Sequence, residues 1–369
     1  MPDRIAGFAE KIAAATPDTR DRGVDALRAL AIAGVVLGHW LVTAWATDQA
    51  GALRIASPLT AMPALAPMSW VLQTLAVFFF VGGYSAARGL RSAREGYLPW
   101  ARRRLARLLA PVLPLAVFWA VLALALTSAG ISRGTLRSFA VSALGPLWFL
   151  AVFTVLTLAT PLLARVRPVA AAGGMAGVVV AVDVVRFGLA GPAWAGWANL
   201  AAGWLVPYLL GMAWAGGGLA RRGTAVAMLT AGAAGTALLI AAFGYPASMV
   251  GVTGAAISNL GPPSLAGVCF GIAQTGAALL AHGPLTRLAR RPRVWAAVAV
   301  ANLSAMPVFL WHQTVLVVAA VTLLPFGRAA GLLDAPVSAQ WLLWRAAWLP
   351  LFAAALAAAV LALRGRRFS

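Results

Sequence analysis

A single cysteine, Cys269, leaves this chain without a disulfide framework, and the redox compartment cannot be read from it. Lysine is reduced to Lys11 and acidic residues to nine, so nearly all the charge of +20 is arginine. The first 22 residues are polar, with Ile5, Phe8, Ala9 and Ile12 at helical spacing, and lack the apolar core of a signal peptide. Gly-rich phosphate loops, HExxH, CxxC and GxSxG are all missing, and no residues show metal-ligand spacing, so no metal is expected. Charged residues make up only 10% of the 369, against 62% hydrophobic, with a mean hydropathy of +0.87. That balance excludes a soluble globular domain. The scarcity of lysine beside abundant alanine points to a GC-rich genome.

Apolar runs long enough to cross about 30 Å of hydrocarbon recur along the whole chain. They fall at about 27–47, 68–88, 108–128, 147–165, 169–189, 199–218, 224–243, 262–282, 302–324 and 341–363. The expected fold class is therefore an all-α integral membrane protein, a single bundle of about ten transmembrane helices. Residues 1–22 are expected to be a cytoplasmic or interfacial lead-in, 23–365 the transmembrane domain and 366–369 a cytoplasmic tail.

A charge of +20 would suggest nucleic acid in a soluble protein. Its placement argues otherwise. Only Arg54, Arg133, Arg137, Arg186, Arg328 and Arg345 fall in the alternate segments, and all other basic residues lie on the opposite side. This is the positive-inside bias, with both termini in the cytoplasm. Topology and anionic lipid account for the charge, so the bilayer is an expected partner and nucleic acid is not.

Two loops stand apart. Arg88 to Arg107 is the most basic cytoplasmic stretch and runs into the third crossing through Pro111. Opposite it, Tyr245 to Ser264 is an uncharged outer loop rich in Gly, Pro, Ser and Asn, residues that set turns. Between Arg293 and Phe326 about thirty residues are apolar, too many for one untilted crossing. Val294 to about Ala301 reads as a short interfacial helix before a crossing kinked at Pro307, with a re-entrant loop as the alternative. No internal repeat of the kind found in secondary transporters is visible.

Titratable groups inside the crossings are few, and such groups are costly enough to mark candidate sites. Between Arg28 and His39 lie ten residues, ALAIAGVVLG, without a polar side chain. Eleven helical steps of about 100° return His39 to within about 20° of Arg28, ~16 Å further along one face. An imidazole at that depth can take a proton from a hydroxyl at neutral pH; otherwise it is a buried hydrogen-bonded histidine. His312, beside Gln313, sits at similar depth and reads either as site lining or as a structural bond. His282 lies at a cytoplasmic helix end and reads as a surface group. Asp183 and Arg186 have the spacing of an intrahelical ion pair, with a role in positioning a polar acceptor as the other reading. Arg102, Arg103, Arg104 and Arg107 form the densest positive cluster. Guanidinium forks suit phosphate and pyrophosphate, while topology and lipid headgroups explain the same charge.

Taken in order, several of these segments resemble the acyltransferase 3 family of membrane O-acyltransferases. DRGVDALRALAIAGVVLGHW resembles the family's opening signature, a basic residue, ten intervening residues and a histidine, matched by Arg28 and His39. VFFFVGGYSAARGL (Val77 to Leu90) is similar to the second helix, with Gly82 where serine is usual. ARRRLARLLAP resembles the basic motif, at Arg103, Arg104 and Arg107. PLWFL (Pro146 to Leu150) resembles the tryptophan motif, and PVFLWHQ the late-helix histidine segment. The resemblance runs from about Asp21 to Val318, and the SNLGPP loop is not part of it.

The resemblance implies an acyl-CoA donor taken from the cytoplasm, with acetyl the expected acyl group, and an outer acceptor hydroxyl on a glycan, glycolipid or glycosylated metabolite. His39 and Arg28 are the expected catalytic residues, His39 as general base or transient acyl carrier. Arg103, Arg104 and Arg107 would hold the donor's phosphates. His312, Trp148, Asn259 and Asp183 are candidates for the acceptor site. The expected location is the plasma membrane of a bacterial cell, crossed many times. A proton-coupled transporter or flippase, with His39, His312 and Asp183 as a relay, is the competing reading. The sequence names neither the acceptor nor an oligomeric state.

Overall fold

The computed structural model describes residues 2–327 and 329–365. Arg328, counted with the outer charges, and the expected tail 366–369 lie outside them. The chain runs through α1 (Pro2–Ala14) and α2 (Arg22–Val42), then a hairpin of β1 (Ala44–Thr47) and β2 (Leu53–Ala56). Two short helices, α3 (Pro58–Ala61) and α4 (Ser69–Leu72), lead into α5 (Leu75–Arg91). There follow α6 (Tyr97–Leu109), α7 (Val112–Ser128), α8 (Arg133–Leu144), α9 (Leu147–Leu163), α10 (Pro168–Asp183) and α11 (Trp197–Ala215). The remaining elements are α12 (Arg222–Phe243), α13 (Leu265–Leu288), α14 (Pro292–Leu303), α15 (Ala305–Leu323) and α16 (Ala339–Gly365).

Nine helical stretches among the described residues are long and apolar enough to cross a membrane. The tenth expected segment is α11, whose 19 residues include Asn199, Pro207, Tyr208 and three tryptophans. Its lower hydropathy has a physical reason. Twelve of its residues are buried against neighbouring helices, so it meets protein rather than lipid. At Gly83 and Gly211 the backbones of α5 and α11 approach so closely that a Cβ at either would overlap the other helix's main chain. Arg165 and Arg167 precede α10, and Arg221 and Arg222 stand at the start of α12, so both helices start on the basic side. The chain between them must return, and α11 is the helix available to do so.

The start of α2 is set by Asp21, whose side chain accepts from the Val24 amide at 3.0 Å. The same carboxylate bonds His282 Nε2 at 2.8 Å, tying α2 to α13. Burial opposes ionisation of Asp21, but the bonds from His282 and the Val24 amide outweigh it and hold the group at about 2. His282, expected as a surface group, is instead this anchor, edge-on to Trp214.

Two local differences follow from turn chemistry. The β-hairpin after α2, absent from the sequence reading, is closed by Asp48, which accepts from the Ala50 and Ala52 amides, with Gly51 at φ +78°. The short helix expected at Val294–Ala301 is α14, Pro292–Leu303. The break before the next crossing falls at Ser304 rather than at Pro307, which occupies the first turn of α15 where a missing N–H costs little.

The topology can be checked by cysteine labelling in cells after Cys269→Ala. A cysteine at the exposed outer-loop position Ala255 should react with a membrane-impermeant maleimide, and one at exposed Ser92 only after permeabilisation. Labelling in the reverse order would invert the bundle.

Candidate active site between two cavities

The two intramembrane histidines meet. His39 Nδ1 and His312 Nε2 are 3.1 Å apart, with ring centroids at 5.0 Å. The rest of the hydrogen bonding assigns the protons. His312 Nδ1 lies 2.6 Å from the Phe309 carbonyl, which can only accept, so that nitrogen carries the hydrogen. A neutral imidazole has one N–H, so His312 Nε2 must accept, and His39 Nδ1 donates to it. His39 Nε2 is thereby left with a bare lone pair. The pair is locked by two further bonds between α2 and α15: Trp40 Nε1 donates to the His312 carbonyl at 2.8 Å, and Gln313 Nε2 to Thr43 Oγ1 at 2.8 Å.

His39 forms part of the wall of a cavity of about 440 Å³ on the outer side. The hairpin and the loop after α4 close one flank, through Ser57 and Gln73, and the α8–α9 junction closes another, through Ser142, Trp148 and Phe149. Thr253 of the outer loop stands at the side. Of the acceptor candidates, Trp148 lies in this wall beside His39, and His312 stands directly behind His39.

A larger cavity of about 750 Å³ lies toward the basic side. Its wall holds Arg20, Arg28, Arg104, Arg107 and Arg364 together with Asn302, and no acidic residue among those described. Arg28 donates to Asp25 at 2.9 Å and to Asn302 at 3.2 Å, so its fork is held at the cavity edge. Arg104 donates to the Ser85 carbonyl at 2.8 Å and lies over the Trp100 ring. Arg364 donates to Ser304 Oγ at 2.8 Å. Arg103 is ion-paired with Glu95 and does not belong to this wall. The sequence reading missed Arg20, Arg364 and Asn302, since nothing local in their segments distinguishes them from topology-setting charge.

A single layer of phenylalanine rings separates the two cavities. Phe78 and Phe153 belong to the wall of the basic one, Phe149 and Phe309 to that of the outer one. Phe78 stands edge-on to Phe149 at 5.0 Å, and Phe149 meets Phe309 at 5.1 Å. Gly82 has a packing role here, because a Cβ at that position would overlap the Phe153 ring. Glycine in place of serine therefore makes room for one ring of the partition.

Asp183 and Asn259 sit elsewhere. Asp183 does not pair with Arg186. Its carboxylate accepts from Asn199 Nδ2 at 2.8 Å, the Tyr245 hydroxyl at 2.9 Å and the Leu265 amide at the start of α13 at 2.7 Å. It thus pins the outer loop and complements a helix N-terminus. Arg186 lies in a wide helical turn, Val184–Gly188, over the Phe187 ring. Asn259 donates to the Pro246 and Ser248 carbonyls at 2.6 and 3.0 Å, holding the same loop from within. Neither residue lines the cavity that reaches His39.

A family model described as an acyltransferase domain matches residues 21–364 of the chain. No curated protein and no solved structure matches it.

Asp183→Ala leaves three donors without their acceptor in a buried site. It should lower stability by about 3 kcal/mol, read as a drop of several degrees in the melting temperature of purified protein. An unchanged melting temperature would remove the anchoring role.

Proposed function

The chain belongs to the acyltransferase 3 family and is a membrane acyltransferase, and from that premise we propose that it moves an acyl group, acetyl by expectation, from cytoplasmic acyl-CoA to a hydroxyl of a sugar-containing acceptor on the outer side. One juxtaposition carries the reading. A single helix, α2, presents Arg28 to a cavity with five arginines and His39 to a cavity on the far side of one aromatic layer.

Coenzyme A is strongly anionic at one end and carries its thioester at the tip of a long arm. The arginine cavity supplies guanidinium forks for its phosphates, with Arg20, Arg28 and Arg364 joining Arg104 and Arg107. Arg103, held by Glu95, is not in that wall. The arm then points along α2 toward the phenylalanine layer, which must part for the thioester to reach His39. Keeping the layer closed otherwise excludes water from the thioester.

At the outer cavity the acceptor hydroxyl gives its proton to His39 Nε2 as its oxygen attacks the thioester carbonyl. The new C–O bond forms, the C–S bond breaks, and the proton passes from His39 to the departing sulfur, leaving ester and free CoA thiol. His312 is a positioning residue. Its Nε2 accepts from His39 Nδ1–H throughout, holding the tautomer and stabilising the imidazolium that forms. The same lone pair on His39 can instead carry the acyl group for one step. An acylated His39 trapped without acceptor would identify that order.

His39→Ala should abolish transfer of label from acetyl-CoA, by about a thousandfold or more, in folded protein. His312→Ala should lower kcat by about a hundredfold with little change in the donor KM. Full transfer by His39→Ala ends the proposal. Phe149→Ala opens the partition and should raise acetyl-CoA hydrolysis without acceptor; an unchanged hydrolysis rate would show that the layer is no barrier.

A further inference from the structure

A third cavity, of about 430 Å³, lies on the face of α15 turned away from the histidine pair. His312 and Gln313 bond to α2 and the residue after it, whereas Trp311, Thr314, Val318 and Thr322 fall on the other side of the helix. The facing wall is α16 from Trp348 to Ala359, and Phe118 of α7 closes one end against Trp311, with ring centroids at 5.2 Å. The floor is buried, Trp311 being 9% and Phe352 0% exposed. The ridges are not. Val318 is 36% and Leu351 52% exposed, so the groove opens sideways from the bundle.

The chemistry of this groove suits hydrocarbon. No charged side chain lines it among the described residues. Its two hydroxyls are engaged within the protein: Thr322 Oγ1 donates to the Ala319 carbonyl at 2.9 Å, and Thr314 Oγ1 accepts from Trp119 Nε1 at 3.0 Å. Such a wall offers water too few partners. The length is also specific. Twelve helical steps from Trp311 to Leu323 rise about 18 Å, against about 15 Å for one leaflet of a hydrocarbon core of ~30 Å. Both long walls belong to helices able to cross a membrane. At the far end Trp348 donates its indole N–H to the Ala330 carbonyl at 2.9 Å, in the loop that joins the two helices. An aromatic ring with its polar tip so placed marks the membrane–water boundary. The groove thus runs from headgroup level down to the depth of the histidine pair. A lipid chain gains nothing hydrophobic by leaving other lipid chains, so a retained one is held by packing. Left unfilled, the groove deprives the atoms of its floor of contact partners.

We propose that this groove is a binding site for one acyl chain of a bilayer phospholipid from the leaflet opposite the arginine cavity, with the chain's end against Trp311 and Phe118 and its ester end beside Trp348. Seated there, the chain packs behind the histidine pair. Phe352 in the floor meets Trp40 at 5.6 Å, and Trp40 donates to the His312 carbonyl. Binding of this kind is independent of the reaction assigned to the other two cavities.

The test is photolabelling of the full chain in nanodiscs of phosphatidylcholine carrying a diazirine either at the end of one acyl chain or close to its ester, with the labelled residues mapped by mass spectrometry. The chain-end probe should mark Trp311 to Val315, and the ester-proximal probe Thr322, Leu323 and Trp348. Ala355→Trp and Ala319→Trp fill the groove from its rim and should lower labelling of the floor by about tenfold or more. Ala234→Trp, at an exposed position of α12, should leave it unchanged. Wild-type protein purified in mild detergent should also retain phospholipid that both groove variants lose. The two probes on the wild-type chain decide the matter even if a filled variant misfolds. Chain-end label spread over the outward faces of α7, α12 and α16 with none on Trp311 overturns the proposal. So does floor labelling that both filled variants leave intact, or a dimer in which a second copy of the chain covers the groove and shields it from label.

Discussion

The bond between His39 and His312 is the interaction on which the rest of the site depends. Two imidazoles without a carboxylate partner among the described residues must share out their protons through their own hydrogen bonds, and the Phe309 carbonyl breaks the symmetry. Once that carbonyl fixes the proton on His312 Nδ1, the tautomers of both rings follow, and His39 Nε2 keeps its lone pair. In hydrolases with a serine nucleophile a buried aspartate holds the histidine in its working tautomer. In the reading proposed for this site a second, neutral histidine fills that place, with no carboxylate beside the pair among the described residues.

The arginine cavity and the outer cavity are opposite solutions to the same solvation problem. One side gathers guanidinium groups where a polyanion can displace water and pair with them. The other has no charged side chain in its wall among the described residues. Between them lies a layer of rings with nothing to offer a charge, so neither solvent nor phosphate crosses without disturbing it. A bundle arranged this way can keep its two substrates on separate sides until the reacting atoms meet.

Part of this was legible from residue order alone. The Arg28–His39 spacing puts both groups on one helix face, and the structure shows one at each cavity. The basic motif located a positive site, but only Arg104 and Arg107 reach the cavity, because one helical face can turn inward while Arg103 turns out to Glu95. Arg20 and Arg364 arrive from the two ends of the chain, a meeting that no local pattern announces. Asp183 and Asn259 had the composition of a polar site and proved to be anchors of the outer loop. A buried polar group looks the same in sequence whether its partners are protein or ligand.

Hydropathy and helical periodicity are properties of the chain read locally, so residue order alone specifies a multi-pass helical membrane protein and the shared face of Arg28 and His39. Which helices touch is a property of packing. Only the tertiary structure decided that His312 stands behind His39, that α11 is surrounded by protein, and that Gly82 yields space to Phe153. These outcomes depend on shape fitted across segments hundreds of residues apart. A proton position depends in turn on those contacts, because a hydrogen bond is settled by the one neighbour that folding brings within reach.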